Sequence, residues 1–152
     1  MIELACNISK YELRLVKVEG RRYEGSAIVS TPKDAAQHIE NVFDMSHQPE
    51  EIMVLLTLNT KNRVTGAFEV SRGTLNSSLV HPREVYKRAL MNNAAGIIIA
   101  HNHPSGDLTP SKPDIETTKR LKEAGEILGV DLLDHLILGD KRYLSFREQG
   151  LM

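Results

Sequence analysis

The sequence predicts an α/β sandwich built on a mixed β-sheet, and three observations carry that prediction. Two short apolar runs, 52–58 and 96–100, are continuous rather than alternating, as in strands covered on both faces. Between and after them lie stretches with apolar residues at helical spacing and prolines at their starts, so strands and helices alternate. The 152 residues, 41% of them hydrophobic, suffice for one core that needs neither disulfide nor metal to hold it.

Residues 1–30 read as a β-rich extension, separate from a domain at 31–152. Tyr11, Leu13, Leu15, Val16 and Val18 favour one strand, Gly20 marks a turn, and 26–30 suggest a second strand. Thr31-Pro32 supplies an N-cap and a first-turn proline, and Ala35, Ala36, Ile39, Val42 and Phe43 predict a helix over 32–46. Ile52 to Leu58, the turn residues Asn59-Thr60-Lys61-Asn62 and Val64 to Val70 predict an antiparallel hairpin. A loop containing Gly73 leads to Pro82, which opens a helix carrying Val85, Ala89 and Leu90 on one face. Gly96 to Ala100 is the next buried strand. Residues 112–128 predict a helix with Ile115, Leu121, Ala124 and Leu128 inward, stopped by Gly129. Strands at 130–138 and 143–146 close the chain.

Charge and cysteine usage narrow the function classes. Nineteen basic against 20 acidic residues leave a net charge of -1, which excludes a strongly basic nucleic-acid binder. Cys6 is the sole cysteine and can form neither an internal disulfide nor a zinc cage, so a reducing cytoplasm is the expected compartment. No apolar run approaches the roughly 20 residues of a membrane helix. The N-terminal Met1-Ile2-Glu3-Leu4-Ala5 lacks the basic and apolar regions of a signal peptide. The expectation is a soluble protein with no membrane partner.

The segment rich in chemistry is Ala100-His101-Asn102-His103-Pro104-Ser105-Gly106-Asp107, continuing to Ser111-Lys112-Pro113-Asp114. His101 and His103 are two apart at a strand's end and point the same way. Asp114 falls on the first turn of the following helix, where exposed N–H groups favour a carboxylate. Two imidazoles and one carboxylate make a three-ligand site of the kind that leaves zinc a fourth position for water. Such N/N/O ligation suits zinc better than magnesium or calcium. Ser111-x-x-Asp114 also fits a capping box, and the two readings coexist because a capped helix start holds Asp114 in place.

His101-x-His103, seven residues, Ser111, two residues, Asp114 resembles the motif of the JAMM (MPN+) metalloprotease family. The flanking Pro104-Ser105-Gly106, Pro110-Ser111 and Asp134-His135 are similar to its RadC branch, as are Ser71-Arg72-Gly73-Thr74-Leu75 and Val80-His81-Pro82-Arg83-Glu84. The resemblance runs from about residue 31 to the end. It implies a three-layer, cytidine-deaminase-like α/β/α sandwich, a Zn2+ cofactor, and hydrolysis of peptide or isopeptide bonds in a peptide or protein substrate. It also implies roles: Ser111 as donor to the oxyanion, and a glutamate on an early strand as general base. Aligned on 58–62, that glutamate falls on Glu51. A strand starting at Ile52 turns neighbours Glu50 and Glu51 to opposite faces, so only one can serve; Glu69 lies inside the second strand. RadC proteins carry a DNA-repair label that the motif does not itself support. The helix-hairpin-helix region of longer RadC proteins has no counterpart in these residues, and Asn102 replaces the serine or threonine of deubiquitinating relatives.

Two other classes stand beside the hydrolase. A non-catalytic MPN scaffold would be expected to lose metal ligands, and all three are present. A nucleic-acid-processing protein would more often use two metals or oxygen-rich ligation. Among the remaining residues, His135 in an apolar strand reads as a hydrogen-bonded core histidine, and His81 as a weak site candidate. His38 and His47 carry no motif, Lys112, Lys119, Arg120 and Lys122 form a solvated face, and Cys6 has no base beside it.

Overall fold

Local chemistry starts the first helix where the sequence places it. In the computed structural model, which describes residues 1, 6–73 and 80–152, α1 (Pro32–Phe43) opens on a reciprocal cap. Thr31 Oγ1 accepts from the Asp34 N–H at 3.3 Å, and the Asp34 carboxylate accepts from the Thr31 N–H at 2.8 Å. Two donors that a helix start leaves orphaned are thereby satisfied. The helix stops short of the predicted residue 46. Asp44 takes a left-handed backbone, and the chain continues as one 3₁₀ turn, Met45–His47.

The predicted hairpin forms from β1 (Ile52–Leu58) and β2 (Val64–Arg72). Asn59 Oδ1 accepts from the N–H groups of Lys61 and Arg63 at 2.9 and 3.1 Å and so builds the turn. Then follow α2 (Pro82–Met91), β3 (Gly96–Asn102), α3 (Lys112–Leu128), β4 (Asp131–Gly139) and β5 (Arg142–Ser145). The sheet order is β2-β1-β3-β4-β5. β3 and β4, joined through α3, are parallel, and the other neighbours are antiparallel. The mixed sheet is present.

Every residue of β1 and β3 is buried, as their unbroken apolar runs require. Ile52, Val54, Leu56, Ile98 and Ala100 pack against Ala35, Ala36 and Ile39 of α1. Met53, Leu55, Ile97 and Ile99 pack on the other face against Val85, Tyr86 and Ala89 of α2 and Leu121 of α3. Three layers result: α1, the sheet, then α2 with α3. His101 pairs with Met53 across the ladder, so it belongs to the α2–α3 face.

Two expectations need correction. The strands expected within residues 1–30 do not form among the described residues. Residues 6–25 carry no strand, and Ile28 makes a single bridge to Arg63. Leu13, Val16 and Val18 are exposed to solvent. Strand propensity measures fit to a half-buried pleated surface, and here no neighbouring strand supplies one. The inward face of α3 also differs. Ile115 and Leu128 are exposed, while Asp114, Thr117, Thr118, Leu121 and Gly125 are buried. Ile2 to Ala5 of the N-terminal stretch, and Thr74 and Leu75 of the Ser71–Leu75 segment, lie outside the described residues.

Candidate metal centre

β3 ends by parting from β1 while staying on β4. The His103 N–H donates to the Leu138 carbonyl at 2.8 Å. The chain then turns at Gly106, whose φ is 80°. Gly139 permits that turn to lie on β4, because a Cβ there would stand 3.1 Å from Gly106 Cα and 3.2 Å from the His103 carbonyl oxygen. Eight residues after His103 the chain enters α3 through the second reciprocal cap of the fold. Ser111 Oγ accepts from the Asp114 N–H at 3.2 Å, and Asp114 Oδ2 accepts from the Ser111 N–H at 2.8 Å. The difference from Asp34 is what the cap faces. Asp114 Oδ1 stands 3.3 Å from His101 Nε2, Oδ2 is 3.8 Å from His103 Nε2, and the two Nε2 atoms are 3.1 Å apart.

All three residues thus offer a ligand atom within 4.8 Å of the others, His101 and Asp114 buried and His103 half-buried. Burial would raise the Asp114 carboxyl, but the hydrogen bond and charge of His101, with Ser111 beside it, hold it well below the ordinary carboxylate range. His103 Nδ1 meets the Asp107 carbonyl, which only accepts, so the ring carries a proton there and Nε2 is the atom it turns toward the cluster. Behind His101 lies a buried chain of polar contacts. His101 Nδ1 is 2.8 Å from His135 Nε2, His135 Nδ1 is 2.6 Å from Thr118 Oγ1, and Thr118 Oγ1 donates to the Asp114 carbonyl at 2.7 Å. Complete burial, with the charge of His101 adding to it, keeps His135 neutral by pushing its pKa well below the usual histidine value. Its ring stacks on Phe146 with centroids 4.4 Å apart. The donor set fits a zinc ion: two imidazole nitrogens and a carboxylate converge, and the ring nitrogens away from the cluster are engaged by protein.

Beside the cluster, Asn102 fills the gap where β1 and β3 separate. Its Oδ1 accepts from the Ile52 N–H at 2.7 Å and its Nδ2 donates to the Glu50 carbonyl at 2.9 Å. One side-chain amide thus grips the backbone on both sides of Glu51. The Glu51 carbonyl in turn accepts from the Gly73 N–H at 3.0 Å. Glu51 stands immediately before β1, and Arg72 feels the charge of Glu50. Glu69 pairs with Val54 and is held by Arg72 at 2.8 Å.

Residues 29–151 match the family described as RadC-like JAB domain. The chain belongs to that family. This JAB domain is 49% identical over 124 residues to a UPF0758 protein of Clostridium perfringens, covering 82% of the chain and 54% of that protein. It is 48% identical over 128 residues to one from Geobacillus sp. (strain WCH70), with 84% and 56% covered. For a UPF0758 protein of Clostridium botulinum the identity is 52% over 122 residues, with 80% and 53% covered. The chain spans about half the length of the curated relatives it matches.

Of the residues singled out in the sequence, the JAB domain brings His101, His103 and Asp114 together, joins Ser111 to Asp114 through the cap, and leaves Glu51 outside the cluster, next to the start of β1. His81 caps the start of α2 without a side-chain bond, and Cys6 is exposed. A second group, Glu40, Asp44 and His47, is engaged in the turn after α1, where Glu40 accepts from the Ser46 N–H. Three contributors escape sequence reasoning: His135, Thr118 and Asn102. Thr118 stands one helical turn after Asp114, the signal that could have found it. Among the described residues no helix is long and apolar enough to cross a membrane.

Proposed function

We propose that this JAB domain is a zinc-dependent hydrolase of the JAMM type, cleaving a peptide or isopeptide amide bond with a metal-activated water. The observation that carries the reading is the convergence of His101 Nε2, His103 Nε2 and the Asp114 carboxylate at the end of β3. Held there, zinc would bring the pKa of a water toward about 7 and polarise the scissile carbonyl. Glu51 takes the proton of the attacking water and returns it to the leaving amine. Its place just before β1, where continued strand alternation from Met53 would turn it to the His101 face, and the Asn102 amide that grips the backbone beside it support that role. Ser111 Oγ already accepts from the Asp114 N–H, which leaves its own O–H to donate to the oxyanion; one such donor is worth about 10²–10³ in rate. The lone Cys6 supports a reducing cytoplasm as the compartment.

Elemental analysis of protein purified without chelator, joined to digestion of a peptide library, tests the proposal. About one zinc per chain is expected, lost in the His101→Ala, His103→Ala double variant. Unchanged metal content in that variant would remove the site. Glu51→Gln should keep zinc and fold while losing most hydrolysis, and Glu50→Gln should change little. The reverse pattern would transfer the base to Glu50.

A further inference from the structure

We infer that Thr118 and His135 form a relay that holds a proton on His101 Nδ1 and so presents its Nε2 to the metal position. The inference rests on the metal reading above. It follows from counting protons. A threonine hydroxyl has one, and the Asp114 carbonyl oxygen 2.7 Å from Thr118 Oγ1 can only accept, so the proton lies between them. Thr118 Oγ1 must then accept from His135 Nδ1 at 2.6 Å, which puts the His135 proton on Nδ1 and leaves Nε2 bare. His135 Nε2, 2.8 Å from His101 Nδ1, accepts in its turn. His101 therefore carries a proton on Nδ1, the side away from the cluster.

The reverse chain would take the Thr118 proton from the carbonyl and place a proton on His101 Nε2, where the metal must bind. Geometry favours the forward direction, since in the reverse chain Thr118 Oγ1 and the Asp114 carbonyl oxygen would face each other at 2.7 Å with no proton between them, among residues closed to solvent. The stacking on Phe146 holds the plane of the His135 ring. His135 and Thr118 are positioning residues. They touch neither substrate nor metal, and they set the orientation and basicity of a ligand that does. The relay starts and ends on one residue, because Asp114 offers its carboxylate to the cluster and its carbonyl to Thr118.

Zinc affinity, measured by competition with a chromophoric chelator, and the ¹⁵N spectrum of the imidazoles test the relay. Thr118→Val and His135→Leu should each weaken zinc binding by about 10–100-fold, whereas Thr118→Ser and His135→Gln, which keep an acceptor, should stay within about threefold of the unchanged protein. In the metal-free chain His101 should show Nδ1–H. A His101 ring with no proton on Nδ1, or undiminished affinity in folded Thr118→Val, would overturn the relay. The spectrum of the unchanged protein decides even where a variant fails to fold. His101→Ala separates the two readings: if it too keeps zinc, the metal site is wrong; if it alone loses zinc, only the relay is.

Discussion

Replacing Asn102 with alanine removes the clamp around Glu51, and the structure sets the size of the effect. The Ile52 N–H would lose its acceptor at 2.7 Å in a residue only 1% exposed. An unsatisfied buried donor costs about 1–3 kcal/mol. The Glu50 carbonyl would lose its donor at 2.9 Å, but Glu50 is exposed, so water replaces that bond. The net loss on that side is about 0.5–1.5 kcal/mol. Asn102→Ala should therefore destabilise the domain by about 1.5–4.5 kcal/mol, read by urea unfolding, with the amide of Ile52 exchanging faster than its neighbours in β1. Asn102→Asp should be no better. It keeps the acceptor for Ile52, but points a carboxylate oxygen at the Glu50 carbonyl and buries a charge. Stability within about 0.5 kcal/mol of the unchanged chain, with Ile52 equally protected, would refute the clamp.

Burial, with Asp131 nearby, pushes the Tyr86 hydroxyl up to about 12 while it donates to the Leu121 carbonyl at 2.7 Å. A raised folded-state value gives stability that is complete below pH 10 and lost as pH climbs toward 12. A fall on the order of 2 kcal/mol across that window is expected, and its absence in Tyr86→Phe should show in unfolding curves at each pH. Gly125→Ala should cost about 1–3 kcal/mol, because a Cβ there would stand 2.4 Å from both Tyr86 Oη and the Val130 carbonyl oxygen. Thermal unfolding of the purified variant checks it. A chain begun at Gly25 should unfold within about 1 kcal/mol of the full one, since residues 6–24 are exposed. A chain begun at Ser30 should lose more, because it also drops buried Val29 and its bond to the Asn62 carbonyl.

Much of this was legible in the residues because burial on both faces and capping are local signals. The unbroken run Ile52 to Leu58 announced a central strand, and Thr31-Pro32 and Ser111 marked helix starts that the caps then satisfied. What escaped depends on partners far along the chain. Leu13 and Val18 have the composition of a strand, but a strand needs a neighbour, and composition does not say whether one exists. On α3, apolar spacing pointed to Ile115 and Leu128, whereas the buried face begins with Asp114, Thr117 and Thr118. A helix that serves a polar cluster turns its polar residues inward, and a search for hydrophobic periodicity passes over them. His135 read as a core histidine and is one; burial also places it against His101.

The parallel pairing of β3 with β4 through α3 has a consequence for how the two halves of the chemistry come together. His101, His103 and Asp114 all sit on one strand–loop–helix stretch, thirteen positions from first to last. The backbone beside Glu51, the proposed base, comes to them only when β1 docks, through an Ile52–Asn102 contact that spans fifty positions. Closing the longer loop costs roughly 1 kcal/mol more in chain entropy, and it also requires the hairpin to be in register. Under the proposed function, capture of the ion is thus a short-range event and delivery of the base a long-range one. On that proposal, a nascent or partly opened chain that keeps its β3–α3–β4 unit would hold metal while unable to move a proton, so metal retention alone would not report an active fold.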